Sequence, residues 1–317
     1  MRVYNRCMLM LSRRNLLRTL GASTALTLPL DRALGVPLAQ FPLGVTTDEI
    51  DEDALTAIRM LKEFHLNWAE VRNVWGKYNT AQPVEKIREL RSLFDEHAIR
   101  VNTLGTGFFK VPLPEENTAA GRHALDKQWT LLDDAMERAS ILGTDKIRVF
   151  AFTYRSGEQP DDKAYARIAE LLREASRRAA KRRMRLALEN VGQSYVWTGE
   201  QAGRILKQVR EANFGLTWDP NNAGQQGERS FPDGYRHLDP ARIFHVHLRD
   251  FRKAASGKIE WCAVGEGMMD NLGQIRALRK DGAKCSYTLE THWKSPQGKA
   301  HATRKSLEGL IPVIERA

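Results

Sequence analysis

Three cysteines in 317 residues are too few for a disulfide framework, and Cys7, Cys262 and Cys285 have none of the paired spacing of a zinc knuckle. Once residues 1–39 are set aside, Cys262 and Cys285 read as ordinary buried or half-buried thiols. No Gly-x-Gly-x-x-Gly follows the first predicted strand and no Walker sequence is present, so the phosphate loops of dinucleotide-binding and nucleotide-binding folds are missing. From Phe41 onward there is no linker, low-complexity tract or abrupt change of composition. With 42% apolar and 28% charged residues, the chain reads as a globular protein with a large core rather than a disordered one.

One sign of charge is in excess, at +10, but unevenly. Residues 1–35 hold Arg2, Arg6, Arg13, Arg14, Arg18 and Arg32 against Asp31 alone. Residues 173–185 hold six arginines and Lys181 against Glu174. Outside these two stretches the chain is close to neutral, which argues against a nucleic-acid partner. The second cluster closes a predicted helix, where cations complement the carbonyl-rich end.

The first cluster has the layout of an export signal. Ser12-Arg13-Arg14-Asn15-Leu16-Leu17-Arg18 precedes an apolar run from Leu20 to Leu30, which is too short and too polar to span a bilayer. This is a twin-arginine pattern, and cleavage at Ala33-Leu34-Gly35 or after Ala39 would release the rest. No cysteine follows the run, so no lipid anchor is expected. The domain reading is a signal peptide with a short linker over residues 1–39 and one folded domain over residues 40–317, exported by the twin-arginine machinery to the periplasm or beyond.

Eight short apolar runs fill that domain: residues 42–46, 67–71, 99–104, 145–151, 184–189, 214–218, 243–248 and 286–290. Between them lie helical patterns such as Ala54-Ile58-Leu61-Phe64, Ile87-Leu90-Leu93-Phe94 and Trp129-Leu132-Met136-Ala139. Strand alternating with helix implies parallel pairing through right-handed crossovers. Eight units of about 30 residues predict an α/β fold, a single (β/α)8 TIM barrel, over an open doubly wound sheet.

Barrel enzymes carry their chemistry at the carboxyl ends of the strands. The last four runs end in Glu189, Asp219, His247 and Glu290, which are 30, 28 and 43 residues apart, or about one strand-helix unit each. Side chains so placed crowd one side of the mouth, and three carboxylates there repel one another unless a cation sits among them. Three oxygen ligands and an imidazole suit one divalent ion, Mn²⁺, Co²⁺, Mg²⁺ or Zn²⁺, in a site that is not purely structural. His245 shares a strand face with His247 and is expected behind it, and Asp250 is expected behind the ligands as well. Glu70 and Arg72, ending the second strand, read as a rim ion pair or as substrate contacts. Trp75, Trp197 and Trp293 follow strands and are candidates to stack on a face of the substrate. Arg249 is expected either to stabilise an oxyanion or to pair with Asp250, the latter favoured.

These residues carry a resemblance. Leu188-Glu189-Asn190, Trp218-Asp219-Pro220-Asn221-Asn222, His245-Val246-His247-Leu248-Arg249-Asp250, Gly265-Glu266-Gly267 and Leu289-Glu290 resemble the sugar phosphate isomerase/epimerase superfamily, the xylose-isomerase-like barrels that also include apurinic endonucleases. The likeness runs from about Phe41 to the C-terminus. It implies that Glu189, Asp219, His247 and Glu290 bind one divalent ion, that Glu189 and Glu290 also handle protons, and that Asn222 and Arg249 lie beside a small-molecule sugar. Many relatives have His where this chain has Asn222 and Lys where it has Arg249, which bears on the substrate.

The chemistry implied is proton transfer next to a ketone through an enediolate, with one glutamate removing the proton and the other returning it. Return to the opposite face is epimerisation, return to the neighbouring carbon is isomerisation, and loss of a β-substituent is elimination. The alternative is therefore a lyase or dehydratase acting on a keto-sugar, keto-inositol or keto-glycoside. An apurinic endonuclease needs further histidines at the ends of strands two and three, where this chain has only Glu70 and Asn102-Thr103-Leu104-Gly105. A non-catalytic sugar binder would not need both glutamates.

Overall fold

The computed structural model describes residues 38–154 and 160–317. The twin-arginine segment and its apolar run lie outside these residues. Eight parallel strands close into a barrel in sequence order: β1 (Leu43–Thr46), β2 (Trp68–Val71), β3 (Arg100–Gly105), β4 (Lys146–Val149), β5 (Arg185–Glu189), β6 (Phe214–Trp218), β7 (Ile243–Leu248) and β8 (Ser286–Leu289), with β8 pairing back onto β1. The helices between and after them are α1 (Ala54–Glu63), α2 (Val84–Glu96), α3 (Ala119–Leu142), α4 (Asp162–Lys181), α5 (Gly199–Gln208), α6 (Pro220–Gln225), α7 (Asn271–Lys280) and α8 (Lys299–Glu315). The TIM barrel expected from the alternation is the observed fold. Among the described residues no helix is long and apolar enough to cross a membrane.

The helices start where the sequence supplies caps. Asp53, Thr118, Asp161 and Asp270 accept backbone N–H groups at the starts of α1, α3, α4 and α7, and Thr198 with Gln201 forms a capping box at α5. The strands are buried on both faces, as a barrel wall requires. Their outward residues, such as Leu186, Leu188, Leu216, Val246, Leu248 and Leu289, belong to the one large apolar core beneath the helices. The alternate residues turn into a polar lumen instead of the branched aliphatic filling common in such barrels. Asn102 reaches Thr288 across it at 3.2 Å, Arg148 reaches Glu70 at 3.2 Å, and His245 reaches Glu70 at 3.2 Å. A Cβ on Gly44 would lie 2.8 Å from the Asn102 amide, so glycine leaves that amide its space.

Two hairpins project from the barrel. Asn73–Val74 pairs with Lys77–Tyr78 after β2, and Asp250–Lys253 pairs with Ile259–Cys262 after β7. Cys262 and Cys285 are both free and buried.

Candidate active site

Glu189 ends β5, Asp219 follows β6, His247 lies in β7 and Glu290 follows β8, so the parallel register delivers all four to one end of the barrel. One ligand atom from each falls within 4.8 Å of the others, and all four residues are at most 4% exposed. The His247 Nδ1 atom is central, at 3.3 Å from Glu290 Oε2, 3.5 Å from Glu189 Oε1 and 3.7 Å from Asp219 Oδ2.

Each side chain is oriented from its far side. His247 Nε2 donates to Glu70 Oε2 at 2.9 Å, which leaves the Nδ1 lone pair facing the three carboxylates. Asp219 caps α6, its Oδ1 accepting the backbone N–H groups of Asn221 and Asn222, so its Oδ2 is turned inward. Glu290 Oε1 accepts from Arg72 Nη1 at 2.5 Å, and Glu189 Oε2 lies 3.2 Å from Arg148 Nε. His247 Nδ1 and Glu290 Oε2 are buried without hydrogen-bond partners.

Such orphaned buried atoms are costly unless something joins them. Arg72, Arg148 and Arg249 stand against Asp48, Glu49, Glu70, Glu189, Asp219 and Glu290, so the cluster retains negative charge. Burial alone would neutralise His247, yet Glu70, Glu290 and Glu189 pull its pKa well above the imidazole value. The carboxylates thus draw a cation to Nδ1, either a proton or a metal ion. Burial opposes ionisation of the glutamates too, but Arg148 and His247 bring Glu189 down to about 2, and His292 and His247 hold Glu290 well below the usual carboxylate range. The donor set of three carboxylate oxygens and one imidazole nitrogen fits one divalent ion.

The residues predicted around the quartet divide. Asn222 is in the site, with its Nδ2 at 3.4 Å from Glu189 Oε1 and its Oδ1 accepting from Arg249 at 2.9 Å. Trp197 stands beside it and donates Nε1–H to the Asn222 carbonyl at 2.7 Å. His245 lies behind His247, between Ser286 and Glu70. The expected pairing of Arg249 with Asp250 is corrected: the fully buried guanidinium donates to Asp219 and Asn222 and meets His292, with the Trp261 ring 4.5 Å away. Asp250 is not behind the ligands. It accepts the backbone N–H groups of Phe251, Gly265, Gly267 and Met269 and so ties down the loop that follows the hairpin.

Glu70 is neither at the rim nor open to substrate. It is fully buried, and His245, His247 and Arg148 occupy both of its oxygens, while Arg72 turns to Asp48, Glu49 and Glu290. Trp75 packs at the edge of the core with Lys86 over its ring, and Trp293 lies against His301, so neither joins the quartet. The sequence reading missed Arg148, His292, Trp261 and Lys110. Arg148 had a signal, being a charged residue inside an apolar run on the parity that faces the lumen. His292 and Lys110 sit in loops and Trp261 in the projecting hairpin, where the strand-helix spacing says nothing about direction.

A closed parallel barrel with an acidic, histidine-containing cluster at the carboxyl ends of β5–β8 defines a TIM-barrel protein equipped to hold a metal ion. The chain belongs to the xylose isomerase-like TIM barrel family, whose model matches residues 58–312. No curated protein matches the sequence. Among solved structures it is similar to the IolI protein with a binding zinc atom, at 18% identity and TM-score 0.71 over 87% of this chain and 99% of that one. The 3-keto-D-glucoside 4-epimerase YcjR from E. coli is similar at 17% identity and TM-score 0.65, over 86% and 99% of the two chains. The probable 3-DHS dehydratase AsbF from Bacillus anthracis is similar at 15% identity and TM-score 0.67, again over 86% and 99%. At these identities the likeness is one of fold.

Proposed function

We propose that this barrel is a metal-dependent isomerase or epimerase that transfers a proton next to the ketone of a keto-sugar. The observation that carries the reading is the buried quartet with two orphaned atoms, His247 Nδ1 and Glu290 Oε2, turned toward a common point. Glu189, Asp219, His247 and Glu290 would hold one Mn²⁺, Co²⁺, Mg²⁺ or Zn²⁺, which supplies Lewis-acid stabilisation of charge developing on the substrate oxygens.

The chain's own residues do the rest. Glu189 and Glu290 enter from strands separated by β6 and β7, so they approach a carbon bound between them from different sides. Both are held anionic, as a proton acceptor must be. One takes the proton beside the ketone and later yields it to solvent, while the other, once protonated from solvent, returns a proton to the opposite face to give an epimer; return to the neighbouring carbon by the first gives the carbonyl isomer. Arg72 and Arg148 keep each carboxylate aimed, and the Asn222 amide lies between Glu189 and Arg249, where it can select a substrate hydroxyl. Similarity in fold to a keto-glucoside epimerase supports the keto-sugar class. The twin-arginine segment extends the proposal to an exported enzyme, for which the largely cytoplasmic phosphorylated sugars are not the expected substrates.

The test is proton NMR in D2O over a panel of ketoses, keto-inositols and 3-keto-glycosides. Wild type loaded with one equivalent of ion exchanges the α-proton, and Glu290→Gln slows exchange by roughly 10²-fold to 10⁴-fold. Unchanged exchange in the variant would falsify the two-base reading.

A further inference from the structure

The three carboxylates of the quartet are not held alike. Glu189 gives Oε2 to Arg148 at 3.2 Å, and Glu290 gives Oε1 to Arg72 at 2.5 Å. Each keeps its other oxygen turned toward His247 Nδ1. Glu189 Oε1 lies 3.5 Å from that nitrogen and meets the Asn222 amide at 3.4 Å, and Glu290 Oε2 lies 3.3 Å from it with no hydrogen-bond partner. Asp219 has no oxygen to spare. Its Oδ1 accepts the backbone N–H groups of Asn221 and Asn222 at 2.9 and 3.0 Å. Its Oδ2, the atom that faces His247 Nδ1 at 3.7 Å, accepts from Arg249 Nη2.

The guanidinium of Arg249 is also held by groups other than Asp219. Nη2 donates to Asn222 Oδ1 at 2.9 Å, and Nη1 meets His292 Nδ1 and lies 3.5 Å from Glu290 Oε2. The Trp261 ring covers it at 4.5 Å, while Nε is buried without a partner, so the fit around this cation is not closed. Trp261 is placed by the hairpin, opposite Phe251 in the antiparallel pair, and its ring meets those of Phe251 and His292 edge-on. His292 is set by left-handed backbone, φ 50°, and by its N–H donating to Glu49 Oε2 at 3.3 Å. Arg249 therefore has partners to keep if it gives up Asp219.

We propose that Arg249 contends with the ion for Asp219 Oδ2 and so sets how tightly the quartet holds its metal. This rests on the reading of the quartet as an ion site. A charge-assisted hydrogen bond to the ligating oxygen draws on the same electron density that a metal would use, and the two cations repel across a buried site where screening is weak. Arg72 and Arg148 add to that repulsion, yet each leaves its glutamate an oxygen for the ion. Only Arg249 takes the atom that must ligate. When Asp219 Oδ2 turns to the ion, the guanidinium keeps Asn222, His292 and the Trp261 ring, and its position against that ring shifts. Without Arg249, Asp219 Oδ2 is a buried carboxylate oxygen that only the ion satisfies, so binding tightens.

The experiment titrates Zn²⁺, a filled-shell ion without redox chemistry, into chelator-treated full chain, followed by calorimetry and by tryptophan emission. Wild type binds about one equivalent with a change of emission. Arg249→Met binds at least about tenfold tighter and loses the emission change. Arg249→Lys keeps the buried charge without the fork that reaches Asp219, Asn222 and His292 together, so it also binds tighter, by a smaller factor, and carries the test if the methionine variant does not fold by circular dichroism. Trp261→Phe still binds by calorimetry and loses the emission change. Folded Arg249 variants that bind Zn²⁺ no more tightly than wild type overturn the contention. So does an emission change that is absent from wild type or persists in Trp261→Phe. Wild type that takes up no Zn²⁺ overturns instead the ion-site reading beneath it.

Discussion

His247 makes the case for an ion because its two nitrogens face opposite demands. Nε2 is committed to Glu70 at 2.9 Å, and Nδ1 looks at three carboxylates with no donor of its own in the neutral tautomer. Glu70 therefore sets the tautomer that makes His247 a ligand, much as carboxylates behind metal-bound histidines do elsewhere. Glu70→Gln is expected to weaken Mn²⁺ or Zn²⁺ binding by about 10-fold to 100-fold in calorimetric titration, with the fold unchanged by circular dichroism. The same carboxylates raise the pKa of His247, so an ion must displace a proton. Metal affinity accordingly falls as pH drops below the pKa of His247, and binding releases protons in that range. Proton release measured by calorimetry in two buffers of different ionisation enthalpy checks this, and equal heats in both buffers would count against it.

At the scale of elements, β4 carries one residue for the site and one that costs stability. Arg148 faces the carboxylates, whereas Lys146, on the same parity two residues earlier, is largely buried near Arg185. Burial, with Arg185 adding to it, pulls the Lys146 pKa down to about 8 from an ordinary lysine value. The sign follows from linkage: between about pH 8 and the unfolded lysine value the unfolded chain holds the extra proton, so stability rises with pH there. Below that window the folded state bears the full cost, on the order of 1 to 3 kcal/mol. Lys146→Met is expected to melt higher than wild type at about pH 7, with the gap narrowing at about pH 10. A gap independent of pH in calorimetric melting would remove this assignment.

For the whole molecule, the site draws on β2, β4, β5, β7 and β8 and on the loop after β6, so occupancy of the quartet is linked to global folding. An ion that binds the native barrel and not the unfolded chain stabilises it by about 2.7 kcal/mol at a free concentration 100 times its dissociation constant. In a domain of this size that is a rise of about 5 to 10 °C. Scanning calorimetry with and without a chelator reads it, and His247→Ala should abolish the difference. The lumen explains why the quartet cannot be deleted piecemeal. Removing a single charge leaves its partner buried and unpaired, which costs more than the pair is worth.

The alternation of eight apolar runs with helical patterns is a local property, and it determined the barrel: each observed strand lies within its predicted run or within a residue or two of it. The quartet was legible for the same reason, because a closed parallel barrel sends the ends of consecutive strands to one rim, so positions 189, 219, 247 and 290 had to converge. Which side chain meets which across the lumen depends on barrel closure, and no spacing encodes that. Glu70 was misplaced because its partners, His245 and His247, lie 175 and 177 residues away on the opposite wall. Arg249 was misassigned because its sequence neighbour Asp250 turns to backbone N–H groups while Asp219, 30 residues earlier, faces it. Lys110 rides on a loop directed by ring stacking and Trp261 on a hairpin strand directed by its pairing, so only the tertiary structure could place them.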